Sequence, residues 1–287
     1  MVLMTFKSKF DKIILVKCMN RKTKIILIII IFISIIMLSY SIITIIIWNI
    51  DSNKTNIQIK KIEEVKTNEI EDNKDTNIIN NEEITDKFNP YWDYIKMNMI
   101  DVDFSELKKI NNDVRGWIQV NRTNINYPFL QAKDNKYYLK HSFDKSYNSA
   151  GWLFLDYRNN YTDNKNTIIY AHSRLDKTMF GSLRSLLNKS WLNNTNNHVI
   201  KISTLKENSL WQVFSVYHIK TTSDYIQTDF SSDMEYQEFL NKIINRSSYN
   251  FNTTISSKDN ILTLSTCYND TEKMVVHAKL IKNSSKH

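Results

Sequence analysis

Ile25 to Trp48 reads IILIIIIFISIIMLSYSIITIIIW, 24 residues without a charged side chain. As a helix rising about 1.5 Å per residue the run spans roughly 36 Å, enough to cross a bilayer with some tilt. Nothing else in the chain restricts its fold as strongly, because a segment suited to lipid cannot also supply the core of the rest. Lys7, Lys9, Lys12, Lys17, Arg21, Lys22 and Lys24 precede it against one acid, Asp11. That excess places the N-terminus in the cytoplasm and the C-terminal bulk outside. A cleaved signal peptide is the alternative, but the run exceeds the usual apolar region and no small-residue cleavage site occurs between it and Asp51. The expected order is a cytoplasmic basic tail over 1–24, a transmembrane helix over 25–48, a polar extracellular stalk over 49–88 and a folded extracellular domain over 89–287. The chain is then single-pass in the plasma membrane.

The net charge of +8 raises the question of nucleic acid. Divided along the chain it is +6 over residues 1–50, −4 over 51–88 and +6 over 89–287. Much of the excess belongs to the flank of the apolar run, so no nucleic-acid partner is read from it. A modestly positive domain suits an anionic wall or membrane surface, or an ordinary solvated one. Asp51 to Phe88 is aromatic-poor and weakly periodic, which predicts a coil or at most a transient helix. Folded structure is expected from Asn89, where Pro90 opens a helix and Tyr91, Trp92, Tyr94, Ile95 and Met99 supply an apolar stripe.

After NNDVRG the pattern changes to short alternating runs: GWIQV, INYPFLQ, GWLFLD, NTIIYAH, HVIKIS, LWQVFSVYHI, ILTLST and MVVHAKLI. Eight such runs predict a mainly β domain, a closed barrel or a sandwich. Helical patterns at DNKYYLKHS, MFGSLRSLLN and Asp233–Ser247 interrupt them without regular alternation, which argues against a doubly wound parallel sheet. In the last of these Met234, Phe239, Leu240, Ile243 and Ile244 form the apolar face.

The chain has two cysteines, Cys18 before the apolar run and Cys267 far beyond it. They cannot pair within one chain, so Cys267 is buried, paired with another chain, or kept for chemistry. In ILTLSTC, alternation groups Ile261, Thr263, Ser265 and Cys267 on one face and Leu262, Leu264 and Thr266 on the other. The cysteine face is the more polar, which leans toward an accessible sulfur. A cysteine nucleophile needs a partner to favour its thiolate, usually histidine. His287, His198, His218 and His141 lack a suggestive context, which leaves His172 at the end of NTIIY and His277 within MVVHAKLI. Strand ends that lead into loops favour display of catalytic groups, which tilts the choice only slightly to His172. The cations after Cys267 are Lys273, Lys279, Lys282 and Lys286, with no arginine. Gly116, Gly151 and Gly181 make no phosphate loop, and a single outer cysteine with scattered histidines has no metal-ligand spacing, so neither metal nor cofactor is expected.

At TLSTC the chain resembles the sortases, membrane-anchored cysteine transpeptidases of Gram-positive bacteria, and specifically class B. NNDVRGWIQVNRTNINYPFLQAKDNKYYL, GWLFLDYRNN, NTIIYAHSRLDKTMFGSL and VVHAKLI extend the resemblance in order from Asn111 to Ile281. It implies an eight-stranded sortase-type β-barrel with peripheral helices, among them a long helix before the strand of Cys267. It implies Cys267 as nucleophile and, through YAH, His172 as its histidine. It also implies a peptide pocket using Asn135, Leu139, Tyr170, Tyr225, Ile226, Ser265 and Thr266. Ala171 replaces the family's glycine, and Lys273 stands where the family carries an arginine, so the charge is kept and the planar fork lost. Arg174 is a weak candidate to compensate. The implied activity is cleavage of a C-terminal sorting signal on surface proteins, of Asn-Pro-x-Thr type, through a Cys267 thioacyl intermediate. Transfer to an amine of peptidoglycan or its lipid-linked precursor completes the reaction. The alternatives are a catalytically impaired sortase-like peptide-binding module and a hydrolytic thiol protease.

Overall fold

The computed structural model describes residues 20–65, 67–73, 75–79, 89–160, 164–267 and 271–286. Helix α1 runs from Arg21 to Glu63 and is long and apolar enough to cross a membrane. The chain divides into two compact units, the first ending at Asn53 and the second starting at Lys54.

The second unit is built on strands β4 (Val114–Val120), β5 (Asn126–Leu130), β6 (Phe154–Leu155), β7 (Asn166–Tyr170), β8 (Val199–Thr204), β9 (Glu207–Lys220), β10 (Ile261–Cys267) and β11 (Glu272–Ser285). They are neighbours around the sheet in the order β10-β7-β6-β5-β4-β8-β9-β11, and β11 pairs back onto β10, closing an eight-stranded barrel. Each of the eight alternating runs supplies one barrel strand. Closure leaves no free edge among these eight strands, and their inward side chains fill the interior with Ile118, Ile202, Leu262, Leu264, Val276 and Ala278.

Most of the described part of the stretch read as a stalk carries regular structure. Helix α1 continues through it to Glu63, β1 (Thr67–Ile70) pairs with β3 (Met99–Val102), and β2 (Thr76–Ile78) adds to β11. Thr55, Ile59 and Ile62, spaced four and three apart, put one side of the helix into the domain, where all three are buried. The Oε1 of Gln58 accepts from the Phe143 amide at 3.1 Å, and Lys282 donates to Asp72 at 2.6 Å. Many polar residues in this segment therefore serve as partners rather than as solvated coil. Residues 80–88 lie outside the described residues.

Helix α2 (Tyr91–Tyr94) buries Tyr91 and Tyr94 against Met99, Val199, Leu210 and Ile281, with the short helix α3 (Ser105–Ile110) coming after β3. Helix α4 (Lys189–Leu192) precedes β8, and α5 (Asp233–Asn245) precedes β10. Ser232 caps α5 by accepting from the Glu235 amide at 3.2 Å. The buried face of α5 is Tyr236, Phe239, Leu240 and Ile243, packed on Phe214, Tyr217, Ile261 and Val275 outside the barrel; Met234, expected on that face, is 73% exposed. This layer also overturns the alternation argument for β10. Ile261 through Thr266 are all buried, on both faces, because α5 and the Tyr225 segment cover the outer one.

Candidate active site

Strands β7 and β10 are parallel neighbours, and their last paired rung is Tyr170 with Ser265. The Ala171 amide extends the contact, donating to the Ser265 carbonyl at 3.4 Å. Two residues beyond that rung, His172 comes after β7 and Cys267 ends β10. Equal offsets on parallel strands roughly 4.8 Å apart bring these two positions to the same level of the barrel rim. On the other side of β10, antiparallel pairing sets Lys273 of β11 directly opposite Cys267. Residues 172, 267 and 273 thus stand on three adjacent strand ends.

The His172 imidazole is half-buried, and its Nε2 lies 2.8 Å from the Leu139 carbonyl. A carbonyl can only accept, so Nε2 carries a proton and Nδ1 is the atom left to give or take one. Gly151 packs beside this contact with φ of +61°; a Cβ there would lie 2.5 Å from the Tyr138 carbonyl oxygen and 3.1 Å from the imidazole Cδ2. Only glycine meets both demands. Ala171 is not among the described residues with positive φ, so the alanine of YAH sits without backbone strain.

A second group centres on Asp156, whose side chain is completely buried. It accepts from Asn135 Nδ2 at 2.9 Å, from the Tyr170 hydroxyl at 2.8 Å and from both Nε and Nη2 of Arg158, at 2.9 and 2.7 Å. Burial works to raise its pKa, but the Arg158 and Tyr170 hydrogen bonds and the Arg158 charge outweigh it and hold the carboxyl below its ordinary value. Arg158 Nη2 also donates to the Ile226 carbonyl at 2.9 Å. The adjacent residue, Tyr225, is buried with its hydroxyl 3.0 Å from Ser265 Oγ. Burial and the neighbouring Asp156 push the Tyr170 hydroxyl pKa well up, so it stays a donor.

Of the expected peptide-pocket residues, Asn135, Tyr170 and Ile226 meet around Asp156 and Arg158. Ser265 and Tyr225 meet behind Cys267, and Leu139 contributes its carbonyl to His172. Thr266 is buried with no hydrogen-bond partner for its hydroxyl. Asp156, Arg158 and Gly151 are the residues that sequence reading left without a role; DYR, a carboxylate and a guanidinium two apart, was the available signal.

The other histidines have local explanations. His277 is fully buried on the outer barrel face, bonded to the Tyr217 hydroxyl at 3.0 Å and to Thr263 Oγ1 at 2.9 Å. Burial, then the Arg246 charge, pushes its pKa down to about 3, so it is neutral. His198 is buried against the Leu192 carbonyl, and His141 stacks on Tyr137 at 3.9 Å. The cations sort in the same way. Lys279 donates to the Thr254 carbonyl, Lys282 to Asp72 and Lys286 pairs with Asp101, all away from the strand-end cluster. Arg174 directs its Nε and Nη2 to Asp176 at 3.2 and 3.0 Å, an engagement that weighs against its replacing the family arginine. Among the described residues no group of three His, Cys, Asp or Glu could hold a metal ion.

A barrel with this closure and a TLSTC strand end beside YAH has known counterparts. Residues 118–281 match the family described as Sortase domain, and the chain belongs to it. Sortase B of Staphylococcus aureus is 40% identical over 186 residues, covering 63% of this chain and 75% of that protein; Sortase B of Listeria monocytogenes is 39% identical, covering 62% and 74%. The structure of the Staphylococcus aureus sortase B-substrate complex superposes with a TM-score of 0.59 at 40% identity, over 62% of this chain and 84% of that one. A Bacillus anthracis protein described as similar to sortase B gives 0.58 at 43% identity, over 67% and 92%. The chain is a class B sortase, a cysteine transpeptidase of cell-wall anchoring.

Proposed function

We propose that Cys267, His172 and Lys273 form the catalytic group, and that the chain cleaves a C-terminal sorting signal of Asn-Pro-x-Thr type. The observation that carries this is the register: Tyr170 opposite Ser265, and Cys267 opposite Lys273. The Cys267 thiolate attacks a backbone carbonyl carbon of the signal, and an S–C bond forms. As the C–N bond breaks, His172, protonated, gives a proton from Nδ1 to the leaving amine. The incoming amine then attacks the thioester carbon, Nδ1 takes its proton and the thiolate departs. Lys273 stabilises the oxyanion of each tetrahedral intermediate and helps hold the peptide. Asn135, Leu139, Tyr170, Tyr225, Ile226, Ser265 and Thr266 form the peptide pocket. The acceptor is an amine of peptidoglycan or its lipid-linked precursor, and the clients are surface proteins bearing the signal.

In this reading residues 25–48 anchor the chain with its basic N-terminus in the cytoplasm and the barrel outside, as the flanking charge favours. The full-length chain in detergent, incubated with Asn-Pro-x-Thr peptides and an amine, is expected to yield an acyl adduct on Cys267 by mass spectrometry, and a transfer product. Absence of any adduct across a peptide library would overturn the reading. Cleavage that proceeds equally without amine would instead make the chain a hydrolytic thiol protease.

Lys273 motivates a second reading, a catalytically silent module that binds sorting peptides. Its mark is peptide binding that survives Cys267→Ala without turnover in the unaltered chain.

A further inference from the structure

Directly after His172 the chain folds a tight loop. Ser173 bridges to Met179, and the Phe180 amide returns to the His172 carbonyl at 3.0 Å. Residues of this loop, of the β4–β5 turn and of the segment that follows the loop line an open surface pocket of about 410 Å³. Arg122, Arg174, Lys177 and Arg184 all line it, and none of the residues lining it is acidic. Asp176, the nearby carboxylate, is engaged with Arg174.

The construction is specific. The Asn124 amide donates to Ser182 Oγ at 3.3 Å, tying the turn to the loop. A Cβ on Gly181, which also lines the cavity, would lie 2.2 Å from the Arg174 carbonyl oxygen, so only glycine allows the loop to close. Arg122 and Lys177 both have left-handed backbones, with φ of 57° and 64°. Side-chain-bearing residues seldom adopt that conformation, and such strain concentrates where a site is held in shape. Arg184 Nε donates to the Ser173 hydroxyl at 2.9 Å, one residue from His172. A concave cationic pocket with hydroxyls in its wall suits an oxyanion.

We propose that this pocket binds an oxyanion of the acceptor, a carboxylate or a phosphate on the peptidoglycan precursor, and places its amine near His172. The proposal rests on the transpeptidase reading. None of the residues assigned to the sorting peptide lines the pocket, so it acts on the second substrate and leaves the first step untouched.

The test uses the full-length chain in zwitterionic nanodiscs and the variant R122Q/K177Q/R184Q, with R122Q and K177Q singly in case the triple variant misfolds. Acyl-adduct formation on Cys267 and transfer to triglycine amide are expected to stay within about twofold of the parent. Transfer to anionic acceptors should fall about tenfold or more in the triple variant, mainly through KM, and about threefold in each single one. A loss with a stem peptide bearing free carboxylates assigns the site to carboxylate. A loss confined to the pyrophosphate-linked precursor assigns it to phosphate. Equal rates with every acceptor overturn the proposal, as does a loss with triglycine amide that appears only in anionic nanodiscs, which would give the pocket to lipid. If the parent chain forms no adduct with any sorting peptide, the transpeptidase reading falls by itself. Equilibrium binding of inorganic pyrophosphate then reads the pocket: affinity about tenfold weaker in the triple variant upholds an oxyanion site, and unchanged or undetectable binding overturns it.

Discussion

His172 donates from Nε2 to the carbonyl of Leu139, 33 residues earlier in the chain, and Gly151 fills the space beside that bond. Gly151→Ala forces a Cβ against the Tyr138 carbonyl and the imidazole while straining φ. It is expected to cost about 1–3 kcal/mol of stability and, by displacing the ring, to slow transfer by about tenfold or more. Steady-state kinetics at a temperature where the variant is fully folded check this. Unchanged turnover there would mean that the Leu139 contact does not position the base.

His277 and Asp156 contribute acid sensitivity in two separable pH ranges, alongside buried His198 in the first and other depressed carboxylates in the second. His277 has a folded pKa of about 3, whereas the unfolded chain takes the proton near about 6.5. Between those values the unfolded state binds more protons, so stability falls as the pH drops through the window, by on the order of 4 kcal/mol at its lower end. Asp156 acts lower. Its depressed carboxyl adds stability that is full above the unfolded value of about 3.9 and is lost as the pH falls through the folded one. His277→Gln should therefore flatten the decline above about pH 4 and keep the loss below it. Denaturant unfolding from acid to neutral pH measures both limbs, and parallel curves for variant and parent would refute the assignment.

Lys273 pairs in register with Cys267 where the resemblance calls for an arginine. Lys273→Ala is expected to lower transfer by about 10²- to 10³-fold, and Lys273→Arg to equal or exceed the parent because a planar guanidinium holds paired donors in a fixed fork. Rates measured at saturating peptide separate these. Alanine without effect would remove Lys273 from the chemistry.

Ile62 is 3% exposed at the end of α1. Ile62→Ala should destabilise the domain by about 2–4 kcal/mol, whereas a residue in a solvated stalk would cost nothing. Urea unfolding monitored by tryptophan fluorescence distinguishes the two.

The barrel was legible because its strands are short alternating runs separated by polar turns. Strand-end position favoured His172 over His277 only slightly, and the choice rested on the resemblance at YAH; Cys267 stood out as the single cysteine beyond the apolar run. The Thr55, Ile59 and Ile62 stripe was present in the sequence but diluted by Lys60, Lys61, Glu63 and Glu64, so a buried helix end resembled a tether. Asp156 was hidden for another reason. Arg158 is its neighbour in DYR, but Asn135 and Tyr170 converge on it from a separate loop and strand, and no periodicity encodes that meeting. The polar face of β10 misled for a third, since α5 and the Tyr225 segment cover it, while Asn166 of β7 and the Tyr225 hydroxyl satisfy Thr263 and Ser265.

The parallel pairing of β7 with β10 joins segments nearly a hundred residues apart, and β10 has no hairpin partner on that side. Local folding cannot assemble such a junction; it forms only when the two segments meet across the whole intervening chain. Positions 172 and 267 therefore remain strangers until the barrel shuts. On the proposed catalytic assignment, a chain still being made carries an ordinary cysteine, and reactivity toward peptides arrives together with the completed fold.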